Sequence, residues 1–207
     1  MTNKNITDHP ARKCNLFAYT LGRVVMKVCG WKMEGQVPDS NKMIIIASPH
    51  TSNWDFIFLL GAAYCFRLSV NWLGKKSLFP PVWGACMKYL GGVPIDRSKS
   101  SNMVQLLADD ITAAPNFTLV IPASGTRRKT EYWKSGFYQI ALAAKIPVVC
   151  GYLDYENKVA CLGYSFVPTG DVTADMDKIR EFYKPIKGKN PENTSRIRLR
   201  EEDVNQG

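Results

Sequence analysis

The sequence predicts an α/β fold: a single domain with a mostly parallel or mixed central sheet and helices on both faces, preceded by an N-terminal amphipathic helix. Short apolar runs alternate with segments whose apolar residues recur every three or four positions. This alternation is typical of layered α/β domains. The 207 residues allow one domain with a sizeable core. We therefore divide the chain into an N-terminal membrane-interface helical segment (residues 1–41), a central domain (42–183) and a polar basic tail (184–207).

The N-terminal segment contains the first predicted helix. Residues 15–31 are largely apolar, and Arg23 and Lys27 lie one turn apart. Basic residues on one face, with aliphatic and aromatic residues on the rest, are typical of a helix in a membrane interface. The same pattern also suits an amphipathic helix packed on a core, so both interpretations stay open. No apolar run approaches the roughly 20 residues needed to span a bilayer.

The central domain begins with a strand followed by a helix. Met43 to Ala47 includes three consecutive isoleucines, and such a run favours a buried strand. Ser48-Pro49 ends it. From about Ser52 the apolar residues recur at helical spacing, which makes one apolar face.

Further strands and helices alternate along the domain. Gly91-Gly92 ends one helix, because glycine readily adopts the left-handed conformation found there. Pro94 indicates an edge or irregular strand, because proline cannot donate a hydrogen bond to a neighbouring strand. The tail is rich in Lys, Arg, Asn and Glu and predicts a solvated extension. Strands are expected at residues 69–74, 93–97, 116–122, 147–155 and 158–166, and helices at 82–90, 102–114, 136–145 and 174–183.

The net charge of +9 favours an acidic partner: a phosphate-bearing small molecule, an anionic lipid or a nucleic acid. The largest basic excess lies in residues 71–134. Neither a zinc-finger spacing nor a known RNA-binding or DNA-binding motif occurs, so we expect no nucleic-acid partner.

The six cysteines are widely spaced and contain no close pairs. This spacing predicts reduced thiols and favours a reducing compartment, with neither a metal site nor a disulfide framework. Four of them lie in apolar stretches and are expected to be buried: Cys65, Cys86, Cys150 and Cys161.

One short motif predicts chemistry. His50 follows the first strand, and Asp55 comes five positions later. Five residues on a continuous helix would place two side chains about 140° apart, so contact between them requires His50 to precede the helix. The carboxylate could then fix one imidazole nitrogen and leave the other free to accept a proton from a hydroxyl. Alternatively, Ser52 and Asp55 form a capping-box pattern, in which the aspartate only satisfies backbone donors.

Two other polar loops follow predicted strands. Asp96-Arg97 ends one strand, and Gly125-Thr126-Arg127 lies in a loop after another. In open α/β sheets, the loops beyond the carboxyl ends of parallel strands line a ligand crevice. We therefore expect these two loops and the His50 turn to form one site.

These loops resemble, in order, the four motif blocks of the glycerophospholipid acyltransferase family, which includes the 1-acyl-sn-glycerol-3-phosphate acyltransferases. The resemblance covers roughly residues 42–155, and four ordered blocks are far more specific than one. The blocks are His50-Thr-Ser-Asn-Trp-Asp55; Lys76-Ser-Leu-Phe-Pro with Gly92-Val-Pro-Ile-Asp96-Arg97; Ser124-Gly-Thr-Arg127; and Ile146-Pro-Val-Val149.

The resemblance implies transfer of a fatty acyl group from a thioester of CoA or acyl carrier protein to a lysolipid hydroxyl. His50 would act as general base and Asp55 would orient it. Because the thioester is already activated, no enzyme nucleophile, metal or bound cofactor is expected. The expected location is the cytoplasmic face of a membrane, as a peripheral or monotopic protein on an anionic surface.

The resemblance also implies a substrate-binding set of Arg97, Ser124, Gly125, Thr126 and Arg127. The Arg127 fork suits a phosphate, and Gly125 would permit close backbone approach. Arg97 could instead form a salt bridge, and Thr126 could simply stabilise its turn.

Ser124 departs from the family pattern, which usually carries glutamate at this position. A serine cannot hold an arginine by charge, and this leaves the acceptor open. The first alternative is therefore an acyltransferase for another lysolipid or a nonphosphorylated hydroxyl. The basic surface and the helical segment at residues 15–31 give a second alternative, a noncatalytic lipid-binding membrane protein.

Overall fold

The computed structural model describes residues 13–95 and 103–204. Seven strands form one sheet in the order β1-β7-β6-β2-β5-β3-β4. The strands are β1 (Lys32–Gly35), β2 (Lys42–Ala47), β3 (Asn71–Lys75), β4 (Gly92–Ile95), β5 (Phe117–Pro122), β6 (Val148–Asp154) and β7 (Val159–Phe166). The α-helices are α1 (Leu16–Val28), α2 (Trp54–Cys65), α3 (Gly84–Tyr89), α4 (Met103–Ala113), α5 (Gly136–Ala144), α6 (Val172–Tyr183) and α7 (Glu201–Val204), and short 3₁₀ helices cover Lys76–Leu78 and Pro191–Asn193.

Five neighbouring strands, β6, β2, β5, β3 and β4, run in the same direction. Strand β7 is antiparallel to β6, and β1 is parallel to β7. The carboxyl ends of the five parallel strands therefore meet at one edge of the sheet, where ligand crevices form in such folds.

The core has two layers, one on each face of the sheet. Strand β2 shows why, because successive side chains of a strand point to opposite faces. Ile44 and Ile46 pack with buried residues of α4, α5 and α6. Met43 and Ile45 pack on the other face with residues of α2. This arrangement confirms the predicted fold class, a mixed and mostly parallel sheet with helices on both faces.

The predicted elements agree with the observed ones apart from small shifts at their ends. Strand β4, which contains Pro94, lies at the edge of the sheet as expected. Strand β1 has no counterpart in the prediction, because its exposed sequence Lys-Met-Glu-Gly lacks an apolar run. Residues 32–35, assigned to the N-terminal helical segment from the sequence, thus belong to the sheet.

Helix α1 packs against α2 through a close crossing of small residues. A Cβ on Gly22 would lie 2.7 Å from Tyr64 Cβ, and one on Gly61 would lie 2.9 Å from the sulfur of Met26. The opposite face of α1 is apolar and exposed. Its residues Phe17, Leu21, Val24 and Val28 follow helical spacing and are 48–81% exposed.

Residues 184–204 are not a solvated extension, contrary to the sequence-based prediction. Leu199 is fully buried in the main core, and Glu202 is 1% exposed. Glu202 accepts hydrogen bonds from the Leu199 N–H (2.7 Å) and from Arg180 (2.8 Å). The prediction failed because one buried leucine among many polar residues leaves no detectable periodicity.

The cysteines are all free within the part of the chain that the structure describes. Cys150 is buried as predicted, and burial raises the pKa of its thiol to about 12. Cys86 is exposed, so the prediction of a buried thiol was wrong there. It lies in the short helix α3, between exposed Val82, which precedes the helix, and exposed Tyr89 at the end of the helix.

Candidate functional site

The His50 turn connects β2 to α2 at the carboxyl edge of the sheet. His50 lies after the end of β2 and before the first residue of α2, as the spacing required. Its side chain is 19% exposed, whereas that of Asp55 is 4% exposed. The imidazole therefore reaches solvent while its carboxylate partner is buried.

Asp55 is the hydrogen-bonding centre of this turn. His50 Nδ1 lies 3.1 Å from Asp55 Oδ2, and the N–H groups of Thr51 and Ser52 donate to the same oxygen over 2.8 Å and 2.9 Å. Asp55 therefore makes both kinds of contact that the motif allows: it accepts hydrogen bonds from backbone donors and it contacts the imidazole. Burial acts to raise the pKa of the Asp55 carboxyl, but these hydrogen bonds, one from Tyr155 and the attraction to His50 lower it below its usual value.

Tyr155 is a site residue that sequence reasoning missed. Its hydroxyl donates to Asp55 Oδ1 over 2.7 Å. The ring packs edge-on against Trp31, with centroids 5.0 Å apart, and also contacts Phe58. Burial, followed by the hydrogen bond to Asp55, raises the pKa of Tyr155 well above its usual value, which keeps the phenol protonated. Only its position at the end of a predicted strand hinted at this role.

The chain after α6 also reaches the His50 turn. Asn190 donates to Thr51 twice: its side-chain amide to the carbonyl over 2.8 Å, and its backbone N–H to the hydroxyl over 3.1 Å. Thr51 is 4% exposed and Asn190 is half-buried, so these bonds are partly shielded from solvent. These bonds hold Thr51 in place, and the Thr51 N–H in turn donates to Asp55.

The second predicted loop follows β5, the strand next to β2. Ala47 pairs with Pro122 in register, so the His50 turn and the loop at Ser124–Arg127 begin side by side. Gly125 has a φ of +68°, a conformation that glycine adopts without strain. The Ser124 hydroxyl donates to the Thr126 carbonyl over 2.7 Å, and it therefore stabilises the loop itself.

Arg127 is exposed at this loop. Within residues 13–95 and 103–204, its guanidinium has no hydrogen bond or ion pair, so all its donors are available to a ligand. Thr126 accepts a long hydrogen bond of 3.3 Å from the Arg128 N–H, in agreement with a turn-stabilising role. Arg97, together with Asp96, lies outside the described residues.

An apolar cavity extends from the His50 turn between α2 and the sheet. His50 and Asp55 lie at its polar end, and Leu68 and Leu162 also line it. Small residues keep it open beside the turn, among them Ala47 and Gly151. The cavity volume of about 50 Å³ leaves room for a short apolar group beside the imidazole.

The arrangement can perform base chemistry on a substrate. A carboxylate that fixes Nδ1–H leaves Nε2 as the proton acceptor, and the buried negative charge stabilises the imidazolium that forms. A free guanidinium on the neighbouring loop can bind an anionic group. No group of three or more His, Cys, Asp or Glu side chains able to hold a metal occurs within residues 13–95 and 103–204.

Comparisons with known proteins give a family and a similar fold. A family model described as Acyltransferase matches residues 31–153. Among solved structures, the 1-acyl-sn-glycerophosphate (LPA) acyltransferase PlsC from Thermotoga maritima has a similar fold, with a TM-score of 0.57 and 16% sequence identity, over 81% of this chain and 74% of that chain. A search of curated proteins found no significant match.

Proposed function

The chain belongs to the Acyltransferase family, whose model matches more than half of it. We propose that it transfers a fatty acyl group from a thioester of CoA or acyl carrier protein to the free hydroxyl of a lysophospholipid such as 1-acylglycerol-3-phosphate. The observation that carries the proposal is the His50–Asp55 contact of 3.1 Å at the carboxyl edge of the sheet, directly beside the loop that presents Arg127.

His50 is the general base in this proposal. Nε2 accepts the proton of the acceptor hydroxyl as its oxygen attacks the thioester carbonyl. The C–O ester bond forms, the C–S bond breaks, and the leaving thiolate receives the proton from the imidazolium. Asp55 offsets the positive charge on the ring throughout.

The first carbons of the donor's acyl chain occupy the apolar cavity, whose volume is about 50 Å³. Its carbonyl carbon would lie near His50, and the adjoining methylene groups would point toward Leu68 and Leu162. Burying each of these methylenes contributes about 0.8 kcal/mol, which favours a fatty acyl donor over an acetyl donor.

The acceptor's phosphate is bound by Arg127, whose planar fork can donate two parallel hydrogen bonds. Ser124 replaces a glutamate that the family usually carries, and it donates within the loop. This difference favours a second candidate acceptor, a lysolipid without the phosphate monoester, because the charge arrangement around Arg127 differs from that of the family.

The exposed face of α1 supports a location at a membrane surface. Phe17, Leu21, Val24 and Val28 form an apolar stripe, and Arg23 and Lys27 on the same helix are exposed. Apolar insertion combined with basic attraction to anionic lipid is how interfacial helices bind. No helix among the described residues is long and apolar enough to cross a bilayer. A cytoplasmic leaflet rich in anionic lipid is the proposed surface.

An acyl-transfer assay tests the proposal by crossing several lysolipid acceptors with acyl-CoA and acyl carrier protein donors. His50→Ala should lower kcat about 10²–10⁴-fold, the usual contribution of a general base, while its circular dichroism spectrum stays unchanged. Asn53→Ala is a matched control in the same turn, because Asn53 is exposed and its side chain makes no cap hydrogen bond. Full activity of the His50 variant would refute the mechanism.

The acceptor panel separates the two candidate acceptors. If the phosphate is bound by Arg127, Arg127→Ala should raise KM for phosphate-bearing acceptors and leave neutral acceptors unaffected. Equal turnover of both acceptor types in the wild-type protein would favour the second candidate.

A further inference from the structure

The chain after α6 connects three parts of the candidate site that lie far apart in sequence. We call residues 187–196 the strap. Its first contact is with the end of β6, where the N–H of Tyr155 donates to the Lys187 carbonyl over 3.0 Å. The same Tyr155 donates its hydroxyl to Asp55.

The second contact of the strap is with the His50 turn. Asn190 holds both the hydroxyl and the carbonyl of Thr51, and Gly188 packs against this residue so closely that a Cβ there would lie 2.9 Å from Thr51 Oγ1. Thr51 in turn donates its N–H to Asp55 over 2.8 Å. Movement of Asn190 therefore reaches the imidazole through three hydrogen-bonded contacts: Asn190 with Thr51, Thr51 with Asp55, and Asp55 with His50.

The third contact is with the far end of the Arg127 loop. The Thr130 N–H donates to Ser195 Oγ over 3.0 Å, and the N–H of Arg196 donates to the Thr130 carbonyl over 3.2 Å. Beyond the strap, the N–H of Trp133 donates to the Arg198 carbonyl over 2.8 Å. The loop is thus held between β5 at one end and the strap at the other.

We propose that the strap sets the distance between His50 and the Arg127 guanidinium, and that Asn190 and Ser195 are positioning residues for the acyl acceptor. This inference rests on the proposed function. The sheet fixes the ends of β2 and β5, but the two loops extend beyond it and need another support to keep one separation. An acceptor bound at both its anionic group and its hydroxyl needs that separation to be constant, because a displacement of about 1 Å can cost about 100-fold in rate.

The two ends of the strap should give different kinetic effects. Asn190→Ala removes the side-chain bond to the Thr51 carbonyl and keeps the backbone one. It should loosen the His50 turn and lower kcat about tenfold while the acceptor KM stays within about twofold. Ser195→Ala removes the acceptor of the Thr130 N–H and keeps the Arg196 bond. It should loosen the Arg127 loop and raise the acceptor KM several-fold with kcat nearly unchanged. Asn193→Ala is the matched control, because the Asn193 side chain bonds to its neighbour Glu192 and to no other described residue.

Steady-state kinetics of the full chain with 1-acylglycerol-3-phosphate and a long-chain acyl-CoA test this split, alongside amide hydrogen exchange at Thr51 and Thr130. Exchange should become faster at Thr51 in the Asn190 variant and at Thr130 in the Ser195 variant. The proposal would be overturned if both strap variants showed the same decrease in kcat, the same increase in KM and the same decrease in Tm. Such a result would indicate general destabilisation. Unchanged exchange at both amides would also overturn it.

The two readouts keep this inference separate from the proposed function. If the wild-type protein acylates no acceptor, the proposed function fails, and the exchange rates still decide whether the strap holds the loops. If the wild-type protein is active and both strap variants behave like Asn193→Ala, the strap inference fails alone.

Discussion

Asp55→Asn removes the charge beside His50 while keeping the shape of the side chain. The variant should fold, because an amide oxygen at the Oδ2 position can still accept from the N–H groups of Thr51 and Ser52. The amide nitrogen would then face the Tyr155 hydroxyl, which can accept a hydrogen bond as well as donate one. The perturbation is therefore mainly electrostatic.

The expected size of the effect follows from the contacts of Oδ2. A hydrogen bond to a charged group contributes about 1.5–3 kcal/mol and a neutral one about 1 kcal/mol. The imidazolium should thus lose about 0.5–2 kcal/mol of stabilisation, which corresponds to a kcat that is about 2- to 30-fold lower. This is smaller than the 10²–10⁴-fold loss expected for His50→Ala.

The assay is kcat at saturating donor and acceptor for the wild type, both single variants and the double variant. Asp55 acts through His50, so the double variant should be no slower than His50→Ala alone. Wild-type activity in Asp55→Asn, or fully multiplicative losses in the double variant, would refute the proposed coupling. Circular dichroism melting provides the control for folding.

Three further outcomes are expected. Leu199→Ala should lower the free energy of unfolding by about 2–5 kcal/mol in denaturant titrations, because the side chain is fully buried. As the control, Arg200→Ala should change it by less than about 1 kcal/mol, because Arg200 is exposed. A small change in both variants would mean that the C-terminal segment is not part of the core. Ala47→Val narrows the cavity beside His50 and should lower kcat/KM for long-chain relative to short-chain donors by about tenfold, and an unchanged chain-length profile would place the acyl chain elsewhere. The pKa of Asp55 is lowered in the folded state. The stability that this gives is fully present above the unfolded-state pKa of ~3.9 and is lost as pH falls through the lower folded-state pKa. The unfolding free energies of wild type and Asp55→Asn should therefore differ at neutral pH and converge in acid. A difference that stays constant with pH would contradict the lowered pKa.

The fold class could be predicted because it depends on local patterns. Three isoleucines in β2 and helical spacing in α2 are visible in the sequence alone. Strand β1 was missed because its residues are mostly exposed at the sheet edge, so its pairing with β7 depends on a partner more than 120 residues away. A short polar strand has no periodic signal of its own.

The sequence by itself determined the pairing of His50 with Asp55, because a strand end, a turn and a helix start within six residues bring the two side chains together wherever the rest of the chain lies. It also determined that the loops at His50 and Arg127 follow strands. Only the tertiary structure decided what supports them: Tyr155, 100 residues from Asp55, and Asn190, 139 residues from Thr51. Such contacts exist only after the sheet has brought distant segments together, and no local spacing of residues encodes them.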